Sequence, residues 1–492
     1  MQPWPWCGAG PNHSAPLGST PNTPEWHEKP PPAQDSQVWI PDSPQQPDKM
    51  DSMQTTPLSP MGRASTKPSP ANQMMADVDT SFRPEVDINL GVGYVNEDTI
   101  PRHLWSQSLD KVLANPQSYP LALNYGGPNG TPYLIESIRR FYHQQHLCET
   151  NLDVLAGKQI LIGASGATSL LDAIASTIKT GIVLTADPIY YIFADLLERL
   201  GFDVIAVPED QHGIRTEHLQ KTIESLGDKK KRIRFMYIVT VNNPTCSILS
   251  NQRRQDLVQI ASNLSNQLGR KVPLVLDTAY EMLIHDSQVQ SPQSSFPNDR
   301  LGITYEIGTL SKILAPALRI GYMIGSASPL TNAVIQRVSD VGFSAPVLNQ
   351  AMASYLLDHH IDEQLQSVHD AYRKKALRVR KALEEGLGDA LEECRGGSGG
   401  FYYYLTFKKV QTHTQSAFFQ YTNRSTGDPL IDGPKHAKYP KVAYVPGEYC
   451  VHNHGHLVQR GRRQFRLSYA FENTHRIEQA INILNDACQY AS

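Results

Sequence analysis

Short apolar runs alternate with segments of helical periodicity along most of this chain, starting at about Asp79. The apolar runs are roughly four to six residues long, which is typical of buried strands. Strands separated by helices predict a mostly parallel sheet that is covered by helices on both faces. In such a sheet ligands bind beyond the carboxyl ends of the strands, so functional residues are expected directly after strands.

Six apolar runs are the strand candidates of this sheet. They are Ile182–Thr185, Val204–Val207, Phe235–Val239, Pro273–Leu276, Ile303–Ile307 and Ile320–Ile324. The helix candidates beside them are Ser169–Ile178, Thr216–Leu226 and Gln252–Leu268.

The chain past Pro346 has a different pattern. A long helical region, Ala351–Leu387, precedes a separate group of strands, Phe401–Phe407 and Gln464–Tyr469. The polar, turn-rich stretch Lys409–Lys441 between these strands predicts a surface loop or insertion. This order predicts a smaller second domain at the C-terminal end.

The first eighty residues differ from the rest in composition. Residues 1–80 hold nearly half of the chain's 35 prolines and show little apolar periodicity. Such a segment cannot bury enough apolar surface to offset its ordering entropy, so a disordered tail is predicted. It has neither the apolar core of a signal peptide nor the composition of a mitochondrial presequence.

Charge and cysteine usage argue against several classes of protein. The 492 residues carry a formal net charge of −3, without the basic field that nucleic-acid binding needs. The six cysteines are scattered without a Cys-x-x-Cys pair, which argues against structural zinc and indicates a reducing compartment. No uncharged apolar run reaches the roughly 18–20 residues of a membrane span. A cytoplasmic location without membrane or nucleic-acid partners is expected.

One lysine stands at a predicted strand end in unusual company. Lys312 follows the strand Ile303–Ile307, with hydroxyl side chains before it at Thr309 and Ser311, and Arg319 comes seven residues later. An ammonium group among apolar neighbours loses hydration, so its pKa is expected to fall toward neutrality. A free amine is what Schiff-base chemistry with an aldehyde cofactor requires.

Polar or aromatic side chains follow three other strands. Asn243 precedes a proline, so its extended backbone could aim the amide at a ligand, or it forms an ordinary Asn-Pro turn. Asp277 emerges from an apolar strand and needs a partner such as a protonated pyridine nitrogen, unless it caps a helix. Tyr190 could stack on a flat heterocycle or pack in the core.

Two further segments suit anions. The run Gly163-Ala-Ser-Gly166-Ala-Thr168 leads from a strand into a helix, whose N-terminal amides could bind a phosphate. The same run resembles a dinucleotide fingerprint, although Ser169 occupies the third glycine position. Arg466 lies in an apolar strand, and its planar fork suits a carboxylate, either of a substrate or of a structural ion pair.

This set of residues, in this order, resembles the fold type I pyridoxal-phosphate enzymes, and among them the class I/II aminotransferases. The resemblance is carried by Asn243-Pro-Thr245, Asp277-x-Ala-Tyr280 and Ser311-Lys-x-x-x-Pro-x-Leu-Arg319, and it extends from about Asp87 to the C-terminus. It implies an α/β fold: a large domain with a mostly parallel seven-stranded sheet between helices, and a smaller α+β C-terminal domain. The expected boundaries are 1–80 for the tail, 81–120 for an N-terminal arm, 121–345 for the large domain and 346–492 for the small domain.

The resemblance also implies a role for each candidate residue. Lys312 would form the Schiff base with pyridoxal 5′-phosphate and carry the proton between the substrate Cα and the cofactor. Asp277 would keep the ring nitrogen protonated, Tyr190 would stack on the ring, and Arg466 would bind the substrate carboxylate. Tyr125 would reach the phosphate of a neighbouring subunit, which implies a homodimer with shared sites. Asn243 and Tyr280 would bind the phenolate oxygen of the cofactor. The residues expected on its phosphate are Ala167, Thr168, Thr309 and Arg319.

The resemblance leaves the reaction open. An aminotransferase acting between an L-amino acid and a 2-oxo acid is the leading hypothesis. The Gly166-Ala-Thr168 loop is similar to that of aminocyclopropane-carboxylate synthases, so a pyridoxal-phosphate-dependent lyase or cyclase is the alternative. The chain also departs from the family pattern at Cys246 and Ala317, which replace glycines that are frequent in the family. An NAD-dependent oxidoreductase that uses the Gly163 loop and a catalytically silent binding protein are the remaining hypotheses.

The substrate is only weakly defined by the sequence. The stretch Ser339–Leu348 offers no second arginine for an acidic substrate, which favours neutral or apolar amino acids. The run Cys450-Val-His-Asn-His-Gly-His456 alternates in a way that could hold zinc, but a substrate-facing or solvent loop is the expectation. No metal is expected.

Overall fold

An eight-stranded mixed sheet forms the centre of the α/β part of the chain. The structure, a computed structural model, describes residues 56–69, 72–73, 82–145, 153–434 and 436–492. Its strands are β1 Ile88–Asn89, β2 Lys158–Ile162, β3 Ile182–Asp187, β4 Asp203–Asp210, β5 Gly213–Ile214, β6 Ile233–Val239, β7 Leu274–Asp277, β8 Thr304–Thr309, β9 Gly321–Ser326, β10 Leu391–Gly396, β11 Tyr402–Phe407, β12 Val442–Ala443, β13 Val445–Pro446 and β14 Gln464–Ser468.

Helices connect most of these strands. They are α1 Pro60–Ala64, α2 Arg102–Ala114, α3 Pro132–Gln145, α4 Gly166–Thr177, α5 Tyr191–Arg199, α6 Thr216–Ser225, α7 Asn251–Leu268, α8 Pro329–Gly342, α9 Val347–His359, α10 Ile361–Leu387, α11 Ala417–Thr422, α12 Pro429–Asp432, α13 Val458–Gly461 and α14 Thr474–Ala491. Within the described ranges, none of these helices is long and apolar enough to cross a membrane.

The strand order of the large sheet is β2-β9-β8-β7-β6-β3-β4-β5. The five strands from β8 to β4 run parallel, whereas β9 is antiparallel to both of its neighbours. The predicted mostly parallel α/β sheet of seven strands is therefore confirmed, and one short strand is added at its edge. The additional strand is β5, which pairs antiparallel with β4 through only two residues.

Alternating side chains of the strands build a separate core on each face of the sheet. On one face Val183 and Phe235 pack with residues of α4, α5 and α8. On the other face Leu184 and Met236 pack with residues of α6 and α7. Neighbouring residues of a strand point to opposite faces, so a strand covered on both sides must be apolar throughout.

A second, smaller sheet has the order β10-β11-β14-β13 and is antiparallel throughout. In it Tyr404 of β11 lies opposite Arg466 of β14. Near the start of the described chain β1 pairs with β12, so the segment after Asp87 joins the C-terminal part. A smaller α+β part at the C-terminal end is thus present. The boundaries proposed at 80, 120 and 345 stay predictions.

Three predicted segments differ from the structure. The long helical region is two helices, α9 and α10, which are separated at His360. The stretch Lys409–Lys441 is not only loop, because it contains α11 and α12, and Phe418 of α11 is fully buried. Most of the predicted tail lies outside the described residues, but α1 is helical where disorder was predicted.

Candidate active site

A cavity of about 140 Å³ lies beyond the carboxyl ends of β3, β6, β7 and β8. Its lining residues are Ala167, Thr168, Leu171, Tyr190, Val239, Asn243, Asp277, Ala279, Tyr280, Thr309, Ser311, Lys312, Pro316 and Arg319. The cavity therefore collects all of the predicted site residues except Tyr125 and Arg466. A larger cavity of about 630 Å³ is lined by none of the predicted site residues. The smaller cavity is therefore the candidate active site.

Lys312 presents its amine to this cavity among apolar and aromatic groups. Its Nζ lies 3.4 Å from the carbonyl oxygen of Gly93 and 5.4 Å from the ring centroid of Tyr280. Burial lowers the pKa of Lys312 to about 8, and the charges of Arg466 and Arg319 act in the same direction. The predicted fall in the pKa of Lys312 is thus explained by burial and by the two neighbouring arginines.

Asp277 ends β7 and is held by two hydrogen bonds. The hydroxyl of Tyr237 donates to Oδ2 at 2.8 Å, and the backbone N–H of Ala279 donates to Oδ1 at 3.0 Å. Burial raises the pKa of Asp277, while these two hydrogen bonds oppose that rise. A buried carboxylate with spare lone pairs stabilises a cationic group placed beside it, such as a protonated ring nitrogen.

An anion site lies at the N-terminus of α4. Gly166 has a φ of +67°, and a Cβ at this position would lie 2.7 Å from Nη2 of Arg319. Arg319 donates from Nη2 to the carbonyl oxygen of Ser165 at 3.1 Å, which holds the guanidinium beside the first turn of the helix. The N–H of Gly166 donates to the carbonyl oxygen of Arg319, so the N–H groups that follow it in the first turn, the guanidinium and the hydroxyl of Thr309 are the groups that suit a phosphate.

Arg466 lies outside the cavity lining but contacts it through Asn243. Its Nη1 donates to Asn243 Oδ1 at 2.7 Å and its Nη2 donates to the carbonyl oxygen of Gly91 at 2.6 Å. Its Nε has no hydrogen-bond partner among the described residues. The side chain is 3% exposed, and no carboxylate of the described chain forms an ion pair with it. A buried guanidinium in this state is expensive unless an anion joins it.

The two aromatic candidates lie in different surroundings. Tyr190 follows β3 and lines the cavity, where a flat ring could pack against it. Tyr125 is 83% exposed, and its ring lies 6.1 Å from that of Phe343. In this single chain Tyr125 therefore takes no part in the cavity.

Three residues of the site were not among the predicted ones. Ser311 lines the cavity beside Lys312, where the sequence motif had indicated its hydroxyl without assigning it a role. Tyr237 holds Asp277 from the adjacent strand, which a sheet register reveals and a sequence does not. Tyr402 places its hydroxyl 3.0 Å from that of Tyr280, although the two residues lie far apart in the chain.

These groups fit pyridoxal 5′-phosphate. The amine of Lys312 suits its aldehyde, the carboxylate of Asp277 its ring nitrogen, and the anion site at α4 its phosphate. Asn243 and Tyr280 also line the cavity and carry hydrogen-bond donors, which suit the phenolic oxygen.

The sequence matches the family described as aminotransferase class I and II over residues 86–484. The chain belongs to this family. Its enzymes use pyridoxal 5′-phosphate, so the predicted fold, cofactor and enzyme class are confirmed. The hypothesis of an NAD-dependent oxidoreductase has no support in this match.

Three similar proteins illustrate the range of this aminotransferase's relatives. Aromatic-amino-acid aminotransferase 1 of Thermococcus litoralis is 23% identical over 365 residues, which cover 73% of this chain and 79% of the relative. The solved multiple substrate aminotransferase of Thermococcus profundus has a TM-score of 0.73 at 21% identity, over 88% of this chain and 97% of that one. The uncharacterized HTH-type transcriptional regulator YisV of Bacillus subtilis is 24% identical over 348 residues, 69% of this chain and 66% of the relative.

Proposed function

We propose that this aminotransferase moves the amino group of a neutral or apolar L-amino acid to a 2-oxo acid. The observation that carries the proposal is that Lys312, Asp277 and the helix N-terminus with Arg319 line one cavity. Beside it lies Arg466, whose Nε has no hydrogen-bond partner among the described residues. Bound pyridoxal 5′-phosphate supplies an aldehyde carbon that joins to amines and a ring that accepts electrons from the substrate Cα.

Lys312 has two tasks in this proposal. Its neutral amine holds the cofactor between turnovers, and when the substrate amine replaces it, Nζ is free to act as a base. With the cofactor bound, Nζ would take the proton from the substrate Cα and would carry it to the cofactor. A pKa near 8, which burial produces, keeps enough neutral amine for both tasks near physiological pH.

Arg466 binds the α-carboxylate of the substrate in this proposal. It is buried, its two hydrogen bonds run to neutral oxygens, and its Nε remains available. A carboxylate would supply the missing negative charge and place the substrate amine near Lys312, since Arg466 contributes to lowering the pKa of that lysine.

The preference for neutral or apolar side chains rests on the residues around Arg466. A small apolar cluster consists of Tyr191, Tyr404, Val445 and Cys450, and two of its members, Tyr404 and Val445, lie opposite Arg466 in the sheet. Tyr191 and Cys450 contribute to the electrostatic surroundings of Arg466, which indicates their proximity. The similarity to an aromatic-amino-acid aminotransferase agrees with this choice.

The visible absorption of the purified protein with pyridoxal 5′-phosphate tests the proposal. We expect an absorption band from cofactor joined to Lys312, and loss of both band and turnover in Lys312→Ala. The matched control is Lys375→Ala, because burial also lowers the pKa of Lys375 to about 8, yet this lysine donates to the carbonyl oxygens of Ala470 and Glu472 outside the cavity. The control should retain the band. Full turnover in Lys312→Ala would refute the role of that lysine.

Product analysis separates transamination from elimination or cyclisation. With an amino acid and no 2-oxo acid present, an aminotransferase should stop after one equivalent of product per site. Continued turnover without an amino acceptor would instead support the lyase or cyclase alternative.

A homodimer with shared active sites is part of the proposal. Tyr125 is exposed, as are Leu121 and Leu123 near it in the chain, and its ring lies 6.1 Å from that of the exposed Phe343, which follows the exposed Val341. Such a patch on the surface suits burial against a second copy of the chain. Light scattering of the purified protein should give twice the chain mass, and Tyr125→Phe should weaken cofactor binding if its hydroxyl reaches the partner's phosphate. A monomer with full activity would refute the proposed homodimer.

A cytoplasmic location stays a prediction, which rests on the cysteine usage of the sequence.

A further inference from the structure

The buried hydroxyl of Tyr402 lies next to the hydroxyl of Tyr280. The two hydroxyl oxygens are 3.0 Å apart, and either of them could be the donor. Tyr402 is 1% exposed, and Tyr280 is the one hydrogen-bond partner of its hydroxyl among the described residues. The position is also tight, because a Cβ at Gly93 would lie 2.8 Å from this hydroxyl. The Gly93 carbonyl is the group that Lys312 contacts.

Arg466 lies over the ring of Tyr402. The guanidinium carbon is 4.2 Å from the ring centroid, so a positive charge faces the electron-rich side of the ring. Burial raises the pKa of Tyr402, whereas Arg466 opposes that rise. Burial also raises the pKa of Tyr280, where the neighbouring Tyr402 adds to the rise and Arg466 opposes it less than it does at Tyr402. Because the guanidinium lies over its ring, the Tyr402 hydroxyl is the better hydrogen-bond donor of the two, and the Tyr280 hydroxyl is the acceptor.

We propose that Tyr402 is a positioning residue that donates its hydroxyl hydrogen to Tyr280 and so directs the Tyr280 hydrogen at the phenolic oxygen of the cofactor. The inference rests on the proposed function, which assigns that oxygen to Tyr280 and Asn243. A hydroxyl that accepts a hydrogen bond becomes a stronger donor itself. Tyr402 thus strengthens the contact of Tyr280 with the cofactor without touching the cofactor.

The consequence is a shift in the protonation of the cofactor-bound Lys312 nitrogen. Negative charge on the phenolic oxygen stabilises a proton on that nitrogen. When Tyr280 shares this charge, the proton is held less strongly and the nitrogen pKa falls. Removal of the Tyr402 hydroxyl weakens Tyr280 as a donor, so the pKa of the bound nitrogen should rise.

Tyr402→Phe tests this effect by removing one hydroxyl and keeping the ring under Arg466. The readout is the pH midpoint of the visible absorption of the full-length protein with bound pyridoxal 5′-phosphate. We expect the midpoint to rise by about 0.3–0.7 pH unit, a fraction of the effect of one hydrogen bond. In a Tyr280→Phe background the same substitution should no longer shift the midpoint, because its route through Tyr280 is gone.

Tyr403→Phe is the matched control. Tyr403 is the next residue of β11, equally buried, and its hydroxyl donates to the carbonyl oxygen of Ala376 at 2.8 Å, away from the cavity. It should lose similar stability and keep the wild-type midpoint. A wild-type midpoint in Tyr402→Phe, or a shift that persists without the Tyr280 hydroxyl, would overturn the inference and leave the proposed function intact. Absence of the absorption band in the wild-type protein would instead overturn the proposed function.

Discussion

Arg466 donates a hydrogen bond of 2.7 Å from Nη1 to Oδ1 of Asn243. A guanidinium has no acceptor atoms, so this contact determines which end of the Asn243 amide faces Arg466. The amide nitrogen is therefore left to donate toward the cavity that Asn243 lines. Since Arg466 belongs to the small sheet and Asn243 follows a strand of the large sheet, one hydrogen bond links the proposed carboxylate site to the cofactor site.

Arg466→Lys keeps the positive charge but loses the planar fork that serves several acceptors at once. We expect kcat/KM for amino acids to fall about 10²- to 10³-fold, since breaking a buried charged contact costs about 3–4 kcal/mol. Steady-state kinetics measure this loss. The control substrate is a primary amine without a carboxylate, which should react at similar low rates with both proteins. An equal loss with both substrates would contradict the role of Arg466 in carboxylate binding.

Gly166→Ala tests the anion site at the start of α4. The added Cβ would lie 2.7 Å from Nη2 of Arg319 and force the guanidinium away from Ser165. We expect the Kd for pyridoxal 5′-phosphate to rise about 10- to 100-fold, which corresponds to losing about 1.4–2.8 kcal/mol of binding free energy. Absorbance titration of the cofactor-free protein measures the Kd.

Gly157→Ala is the control for backbone strain. Gly157 has a φ of +68°, close to that of Gly166, but a Cβ there meets no atom within 4 Å. This variant should lose about 1 kcal/mol of folding stability from its left-handed backbone and keep the wild-type Kd. If both variants raised the Kd equally, strain rather than the collision with Arg319 would be the cause.

The positions of Lys312, Asp277 and Asn243 follow from the sequence because each comes directly after an apolar strand. Parallel strands bring such positions to one edge of the sheet, so the pattern alone predicts that they meet. Tyr402 could not be predicted in this way. It lies in another sheet, and its proximity to Tyr280 depends on a long-range contact that no local pattern encodes.

Two fold details show the same limit. The strand Gly213–Ile214 contains only two residues, too few to form an apolar run, so no pattern in the sequence indicated this additional strand at the edge of the sheet. The division between α9 and α10 occurs at His360 without a glycine or proline to indicate it. The residues around the break, His359 to Asp362, rank only in the middle of the helix-propensity scale, which is too weak a signal to predict where a helix ends.

Asp277→Asn replaces the carboxylate by a neutral amide of nearly the same shape. We expect kcat to fall about 10²- to 10³-fold, because a preorganised charge beside the cofactor ring is lost. The visible band should persist, since Lys312 is unchanged. Single-turnover absorbance with an amino acid measures the rate.

Tyr237→Phe is the matched control for Asp277→Asn. It removes the 2.8 Å hydrogen bond to Oδ2 of Asp277 but leaves the negative charge in place. A hydrogen bond to a charged group contributes about 1.5–3 kcal/mol, so a loss of at most roughly 10- to 100-fold is expected. A loss in Tyr237→Phe as large as in Asp277→Asn would show that geometry rather than charge determines the rate.

The pKa of Lys312 predicts how cofactor attachment depends on pH. Only the neutral amine attacks an aldehyde, and burial lowers the Lys312 pKa to about 8, assisted by Arg466 and Arg319. Below this value the ammonium form dominates, so the rate constant for attachment should fall about tenfold per pH unit and level off above it. Stopped-flow absorbance of the cofactor-free protein mixed with pyridoxal 5′-phosphate measures the profile. An exposed lysine would continue to gain rate up to about pH 10.4, and a profile of that kind would contradict the buried position of the amine.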